Sequence, residues 1–230
     1  MLAAPDDSRD LRPLLWAGAL GALAYLALWW GYRAGFRPEL DADDAVLRRL
    51  APHAVPDSAW THTFEAISLV LGPTMWRVVA VGVLLLALRR RQFPPPAQFA
   101  VLGVLLGGFV AQGAKLLADR SRPGPAAVSA FSSSYPSAHA FGVTVAAVGS
   151  LFWLWPRLSR RGRWAAGAAA ALVVGLVCFA RLALAVHHLS DVLAGVGLGL
   201  AWTALSVLII RRAGRVGRHT PSQSANPGGR

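Results

Sequence analysis

Apolar and polar positions alternate on a long scale along this chain, and six apolar stretches approach the roughly 17–25 residues that a helix needs to cross a bilayer. The first runs from Leu14 to Tyr32 and ends in Trp29, Trp30 and Tyr32, aromatic residues suited to a membrane interface. The second is interrupted: Phe64 to Leu71 reads as a short segment, Gly72-Pro73 breaks or kinks it, and Thr74 to Leu88 continues it, with Arg77 snorkelling toward the interface. The third covers about Ala97 to Leu117. The fourth runs from Pro136 or Ser137 to Trp155, and the fifth from Trp164 to Ala180, dense in Ala and Gly. The sixth is Asp191 to Ile210, where Gly195, Gly197 and Gly199 form a seam that lets helices approach closely. Between the first two spans the polar stretch Arg33 to Trp60 holds a short surface helix at Asp43 to Leu50, with nothing specific in it. The expected fold is an all-α integral membrane bundle of six transmembrane helices: an N-terminal tail over 1–13, a six-span domain over 14–211 and a disordered basic tail over 212–230.

Composition agrees with the pattern. Hydrophobic residues make up 55% of the chain and charged residues only 15%, outside the range of soluble domains. The formal net charge of +12 would suggest nucleic acid in a soluble protein. Here the arginines cluster beside apolar runs, so orientation and contact with anionic lipid headgroups account for them, and nucleic acid is not expected as a partner. Cys178 is the only cysteine, which excludes an intrachain disulfide. The acidic start and the length of the first apolar run indicate a retained span and not a cleaved leader.

Arginine placement also sets the expected topology. Arg89-Arg90-Arg91, the Arg157 to Arg163 cluster and the tail after Arg211 follow spans two, four and six. These loops and both termini are expected on the cytoplasmic side of a plasma membrane. Parity then places the other ends of spans three to six on the extracytoplasmic face, and with them three polar islands: Lys115 to Pro123, Tyr135 to His139, and Arg181 to Asp191.

Polar groups at the mouths of apolar helices are costly, so function is the default expectation for them. Lys115, Arg122 and Arg181 supply fixed cations suited to phosphate oxygens, and Lys115 is the only lysine in an otherwise arginine-rich chain. Pro136 and Ser137 open a helix whose free N–H groups favour an anion. His187 and Asp191 are four residues apart, so on a helical turn the carboxylate orients the imidazole as an activated nucleophile, while His188 points elsewhere. A second histidine, His139, is available as a proton donor. Asp119 and Asp191 are too few acidic groups for a two-metal site, so no metal and no cofactor is expected.

At these residues the chain resembles the type 2 phosphatidic acid phosphatase superfamily, whose motifs are K-x6-R-P, P-S-G-H and S-R-x5-H-x3-D. The first is present as Lys115 to Arg122-Pro123. The second reads Pro136-Ser137-Ala138-His139, with alanine for glycine, and the third reads Ala180-Arg181, His187 and Asp191, with alanine for the leading serine. The resemblance implies a membrane phosphatase that hydrolyses a lipid phosphate or diphosphate through a phosphohistidine. It implies His187 as nucleophile, Asp191 as its orienting partner and His139 as general acid. Lys115, Arg122, Ser137, the Ala138 backbone N–H and Arg181 would hold phosphate. Candidate substrates are polyprenyl diphosphate, phosphatidic acid and phosphatidylglycerol phosphate. Two alternatives keep the same fold without turnover: a phospholipid-binding transporter or flippase, and a degenerate membrane scaffold. The sequence sets no oligomeric state.

Overall fold

A computed structural model describes residues 10–124 and 132–219. Among them there are helices and no strands. In chain order they are α1 (Arg12–Ala34), α2 (Arg37–Leu50), α3 (Ala59–Val70), α4 (Pro73–Arg89), α5 (Pro95–Phe99), α6 (Gly107–Ala118), α7 (Ala138–Leu154), α8 (Arg160–Ala183) and α9 (Leu189–His219). Six spans of sufficient length and apolarity result: α1, α3 with α4, α5 through α6, α7 with the turn after it, α8 and α9. The all-α membrane architecture expected from the pattern is therefore the observed one.

The distribution of polarity is that of a membrane protein. Lys115 is 5% exposed while its neighbours Leu116 and Leu117 are 84% and 77% exposed. Leucine, tryptophan and valine side chains cover the outer faces of α1 and α4, at Trp16, Leu20, Leu23, Trp30, Val78 and Leu85. A soluble protein could not leave such a surface facing water, whereas hydrocarbon is its natural solvent.

Helix α9 is the central post. It lies between α1 and α7, and glycines bring the backbones together on two of its faces. A Cβ at Gly197 would sit 2.5 Å from the carbonyl oxygen of Gly21 on α1, and one at Gly195 would sit 2.5 Å from the carbonyl oxygen of Ser137. Those distances require glycine at both positions, and the second one brings α9 against the start of α7.

Boundaries differ from the sequence reading at several points, each for a local reason. The second span breaks where expected, with Pro73 opening α4, but its first half starts at Ala59 because Ser58 caps α3 by accepting the Thr61 N–H at 3.2 Å. The third span is α-helical only at its ends, and Ala100–Leu105 forms a π-helical segment. The surface helix begins at Arg37, six residues before the expected Asp43, because Pro38 is accommodated in the first turn. Helix α9 runs through to His219, so residues 212–219, assigned to the tail by the sequence reading, continue the helix. Residues 1–9, 125–131 and 220–230, which include most of the expected N-terminal tail and the end of the C-terminal one, lie outside the described residues.

Candidate active site

The three polar islands meet at one end of the bundle, and they do so through the backbone. Asp119 closes α6 in the left-handed region at φ 46°, which turns the chain out of the helix just after Lys115. The segment then pairs with the strand of chain leading into α7: the Ser134 N–H donates to the Arg120 carbonyl at 2.8 Å, and the Arg120 N–H donates to Ser133 Oγ at 3.0 Å. The Ser137 N–H donates to the Asp191 carbonyl at 2.9 Å, fixing the start of α7 on the start of α9. A cis Tyr135–Pro136 peptide lies between these two attachments.

The third island is a tight connection between α8 and α9, not a continuous helical turn. Ala185 adopts φ 52°, and the Val186 N–H donates to the Arg181 carbonyl at 3.3 Å. His187 therefore precedes α9, and Asp191 lies in the first turn of that helix. Its Oδ2 accepts the backbone N–H of His188 at 2.8 Å, a side-chain bond to the free donors that every helix start exposes.

His187 is buried at 3% exposure and lies between opposite charges. Its Nδ1 is 3.5 Å from Asp191 Oδ2, at ion-pair distance but without an aligned hydrogen bond, and its Nε2 is 3.3 Å from Arg122 Nη1. Burial pushes the His187 imidazole down to about 4, working against Asp191, which raises it; Arg181 and Arg122 add to the downward push. The ring is thus neutral at neutral pH. The expectation that His188 points away is corrected: its Nδ1 reaches the same Asp191 Oδ2 at 3.3 Å, because the turn at Ala185 leaves both histidines ahead of α9, where the helical spacing does not apply. Of the two, His187 is the one that meets an arginine of the site.

Each expected phosphate ligand is present at this end. Lys115 Nζ donates to the Ser133 carbonyl. Arg122 is held by the Ser132 carbonyl at 2.9 Å and the Val186 carbonyl at 2.7 Å. Arg181 donates through Nη1 to Ser68 Oγ at 3.2 Å, and its buried Nε has no hydrogen-bond partner among the described residues. Ser137 caps α7, its Oγ 3.5 Å from the Ala140 N–H, and Ala138 is the first residue of that helix. His139 follows on the first turn. Arg181, Arg77, Lys115 and the neutral His187 ring are its titratable neighbours, and a Cβ at Gly72 would lie 3.4 Å from its Cδ2.

The cations divide into two kinds. Among the described residues, Lys115, Arg122 and Arg181 make no ion pair with a carboxylate, while Arg120 makes two: 2.8 Å to Asp43 Oδ2 and 2.8 Å to Asp191 Oδ1. Burial works against the charge of Arg120, but Asp191 and Asp43 more than offset it and the guanidinium is held more firmly than usual. Lys115 and Arg181 are buried and Arg122 is half-buried; cations so placed with only neutral hydrogen-bond acceptors are expensive, and an anion is the group that relieves them. Among the described residues no group of three or more His, Cys, Asp or Glu side chains is arranged so that it could hold a metal ion.

Sequence reasoning missed Arg120, Asp43, Ser68 and the proximity of Arg77. Arg120 lies inside the first motif at an unspecified position, and Asp43 comes from a helix in which no pattern marked one acid above its neighbours. A cavity of about 430 Å³ lies at the opposite end of the bundle, lined by Trp76, Val83, Phe99 and Trp153 with Arg90 and Arg157, and is remote from these residues.

The comparisons with known proteins agree with the geometry. The chain is similar in structure to a transmembrane PAP2-type phosphatidylglycerolphosphate phosphatase from Bacillus subtilis, with a TM-score of 0.69 and 21% sequence identity over 86% of this chain and 97% of that one. No curated protein sequence matches it. The sequence model of the PAP2 superfamily matches residues 96–215, which hold the three motifs and every expected site residue. With the three motifs, their convergence at one end of six spans and that match, this chain belongs to the PAP2 superfamily.

Proposed function

We propose that this protein is a membrane phosphatase that removes phosphate from a lipid phosphate or diphosphate through a phosphohistidine at position 187. The observation that carries the reading is the trio of unpaired cations, Lys115, Arg122 and Arg181, gathered around a neutral imidazole whose other nitrogen faces a carboxylate. A phosphoryl group fits that arrangement: fixed donors hold its oxygens, and the nucleophile is present without deprotonation.

In the first step His187 Nε2 attacks phosphorus. The bond from phosphorus to the lipid oxygen breaks, and His139 gives its proton to that oxygen. In the second step His139 accepts a proton from water, the hydroxide attacks phosphorus, and the phosphorus–nitrogen electron pair returns to Nε2 as phosphate leaves. Asp191 stabilises the charge that develops on the ring. The 3.5 Å separation between Asp191 and His187 is of the kind that tightens when substrate binds. The Ala138 N–H keeps the donor that the second motif places at the start of α7, and neither alanine departure removes a group from this cycle.

The arginine-rich ends of α4, α7 and α9 support a cytoplasmic position for both termini, which puts the site at the outer leaflet of the plasma membrane. Polyprenyl diphosphate, phosphatidic acid and phosphatidylglycerol phosphate are the substrate candidates, and the apolar outer faces of the helices let such a tail lie in the bilayer while its headgroup reaches the cations. No metal is required by these residues.

The test is phosphate release from the three lipids by purified protein in detergent with EDTA present. Release from at least one, inhibited by vanadate and lost in His187→Ala, is expected. Binding of the same lipids without release would favour the transporter or scaffold reading, and strict dependence on a divalent cation would contradict the proposed cycle.

A further inference from the structure

Helix α2 lies outside the six spans, and among its residues only one side chain is buried, that of Asp43. A helix that packs on a bundle normally buries an apolar stripe. This one instead buries a carboxylate, which is a costly substitution unless every oxygen is satisfied. Both are. Asp43 Oδ1 accepts the Ser190 N–H at 2.8 Å, and Oδ2 accepts Ser190 Oγ at 2.6 Å and Arg120 Nη2 at 2.8 Å.

Arg120 carries the contact inward. Its Nη1 donates to Asp191 Oδ1 at 2.8 Å and to Ser190 Oγ at 2.7 Å, while the guanidinium carbon sits 4.5 Å over the Tyr32 ring. The planar fork of arginine can hold two carboxylates at once, one on each terminal nitrogen. The two oxygens of Asp191 are thereby divided: Oδ1 belongs to Arg120, and Oδ2 remains for the histidines.

We propose that Asp43 is a positioning residue for the reaction. By holding Arg120 it fixes Asp191 Oδ1, and so aims Oδ2 at His187 Nδ1. Asp43 touches neither substrate nor the reacting atoms and acts only through Asp191. The polar stretch between the first two spans is then part of the catalytic apparatus, supplying the outermost member of the chain Asp43–Arg120–Asp191–His187. This inference rests on the function proposed above. The alternative role, attaching α2 to the bundle without effect on chemistry, makes a different prediction for the folded protein.

The experiment measures kcat and KM on the lipid phosphate that the wild type turns over best, using folded protein isolated by size-exclusion chromatography. Asp43→Asn keeps the shape and removes the charge. It should lower kcat about tenfold with KM within about twofold, because the cations that hold phosphate are untouched. The same substitution made in Asp191→Asn, followed over hours for residual turnover, should cost less than a further twofold, since the group it acts through is gone. Should Asp43→Asn fail to fold, Arg120→Lys replaces the fork with a single point charge and should show the same split between kcat and KM. Wild-type kcat in the folded variant, or an equal tenfold loss in the Asp191→Asn background, would overturn the inference. A wild type that releases no phosphate would instead remove the proposed function on which it stands.

Discussion

The Nε2 atom of His187 lies 3.3 Å from Nη1 of Arg122, while the ring's other nitrogen faces Asp191. The imidazole is therefore polarised along one axis, carboxylate behind and cation in front, and the front is where a phosphoryl group would enter. Arg122 is tied to the Ser132 and Val186 carbonyls, and the backbone fixes its position beside the ring. Replacing His187 with alanine should abolish turnover, with thermal stability and elution profile retained. His188→Ala should retain activity within about tenfold, because the backbone N–H that Asp191 accepts remains. A dead His188 variant beside an active His187 variant would assign the nucleophile to the other ring.

The pH dependence follows from the burial of His187. An ordinary histidine loses its proton near 6.5, but here burial brings the value to about 4 against the opposing effect of Asp191. Asp191, His188, Arg122, Arg181 and His139 are the titratable and charged groups that face it. The attacking form is neutral, so it persists as pH falls from 7 until the folded value is approached. The acid limb of kcat/KM that His187 contributes should lie near 4, well below 6.5. Stability follows the same sign: the unfolded chain takes up the proton first, so the His187 contribution is fully present above 6.5 and is lost as pH falls through about 4. Both are checked by kcat/KM and melting temperature across pH 4–8, with a His187→Gln variant as the stability reference. A His187 limb at 6.5 would contradict the buried, neutral ring.

Arg122 should act on the transition state more than on the fold. Losing one fixed donor to a developing oxyanion costs about 10²–10³-fold in rate. Arg122→Ala should show a loss of that order in kcat/KM, and weaker vanadate inhibition. Arg122→Lys should recover only part of it, since a single ammonium cannot span the Ser132 and Val186 carbonyls while facing His187. Equal activity in the lysine variant and the wild type would contradict a forked contact.

The close approach of α1 and α9 sets a prediction for stability alone. Gly197→Leu places a large side chain where a Cβ already lies 2.5 Å from the Gly21 carbonyl oxygen, and should destabilise by roughly 1–3 kcal/mol or more as overpacking does. Gly175→Ala, inside α8 at a position where a Cβ meets nothing within 4 Å among the described residues, should leave the melting temperature unchanged or raise it slightly. The pair is read by thermal denaturation in detergent, and a similar shift in both would contradict the packing of α9.

The spans were legible because hydrophobic runs report the solvent they face, and a bilayer demands long ones. The expected site residues were legible because they fall in three short motifs whose order, combined with the parity of the spans, forces them to one end. What was not legible depends on tertiary pairing. Asp43 and Asp44 are adjacent acids on one polar helix, and nothing local says that the first is buried against Arg120, 77 positions away in sequence, while the second is exposed. The turn at Ala185 had the same character: the spacing from His187 to Asp191 suggested one helical face, but a left-handed residue ends α8 and brings His188 to the same oxygen.

The central claim is that His187 becomes phosphorylated during turnover, and rapid-quench trapping with a lipid labelled in its phosphate tests it most directly. The predicted result is label on the wild-type protein that survives alkali, is released by acid, maps to His187 and is absent from His187→Ala. Turnover with no label on the protein, or alkali-labile label on a carboxylate such as Asp191, would contradict it.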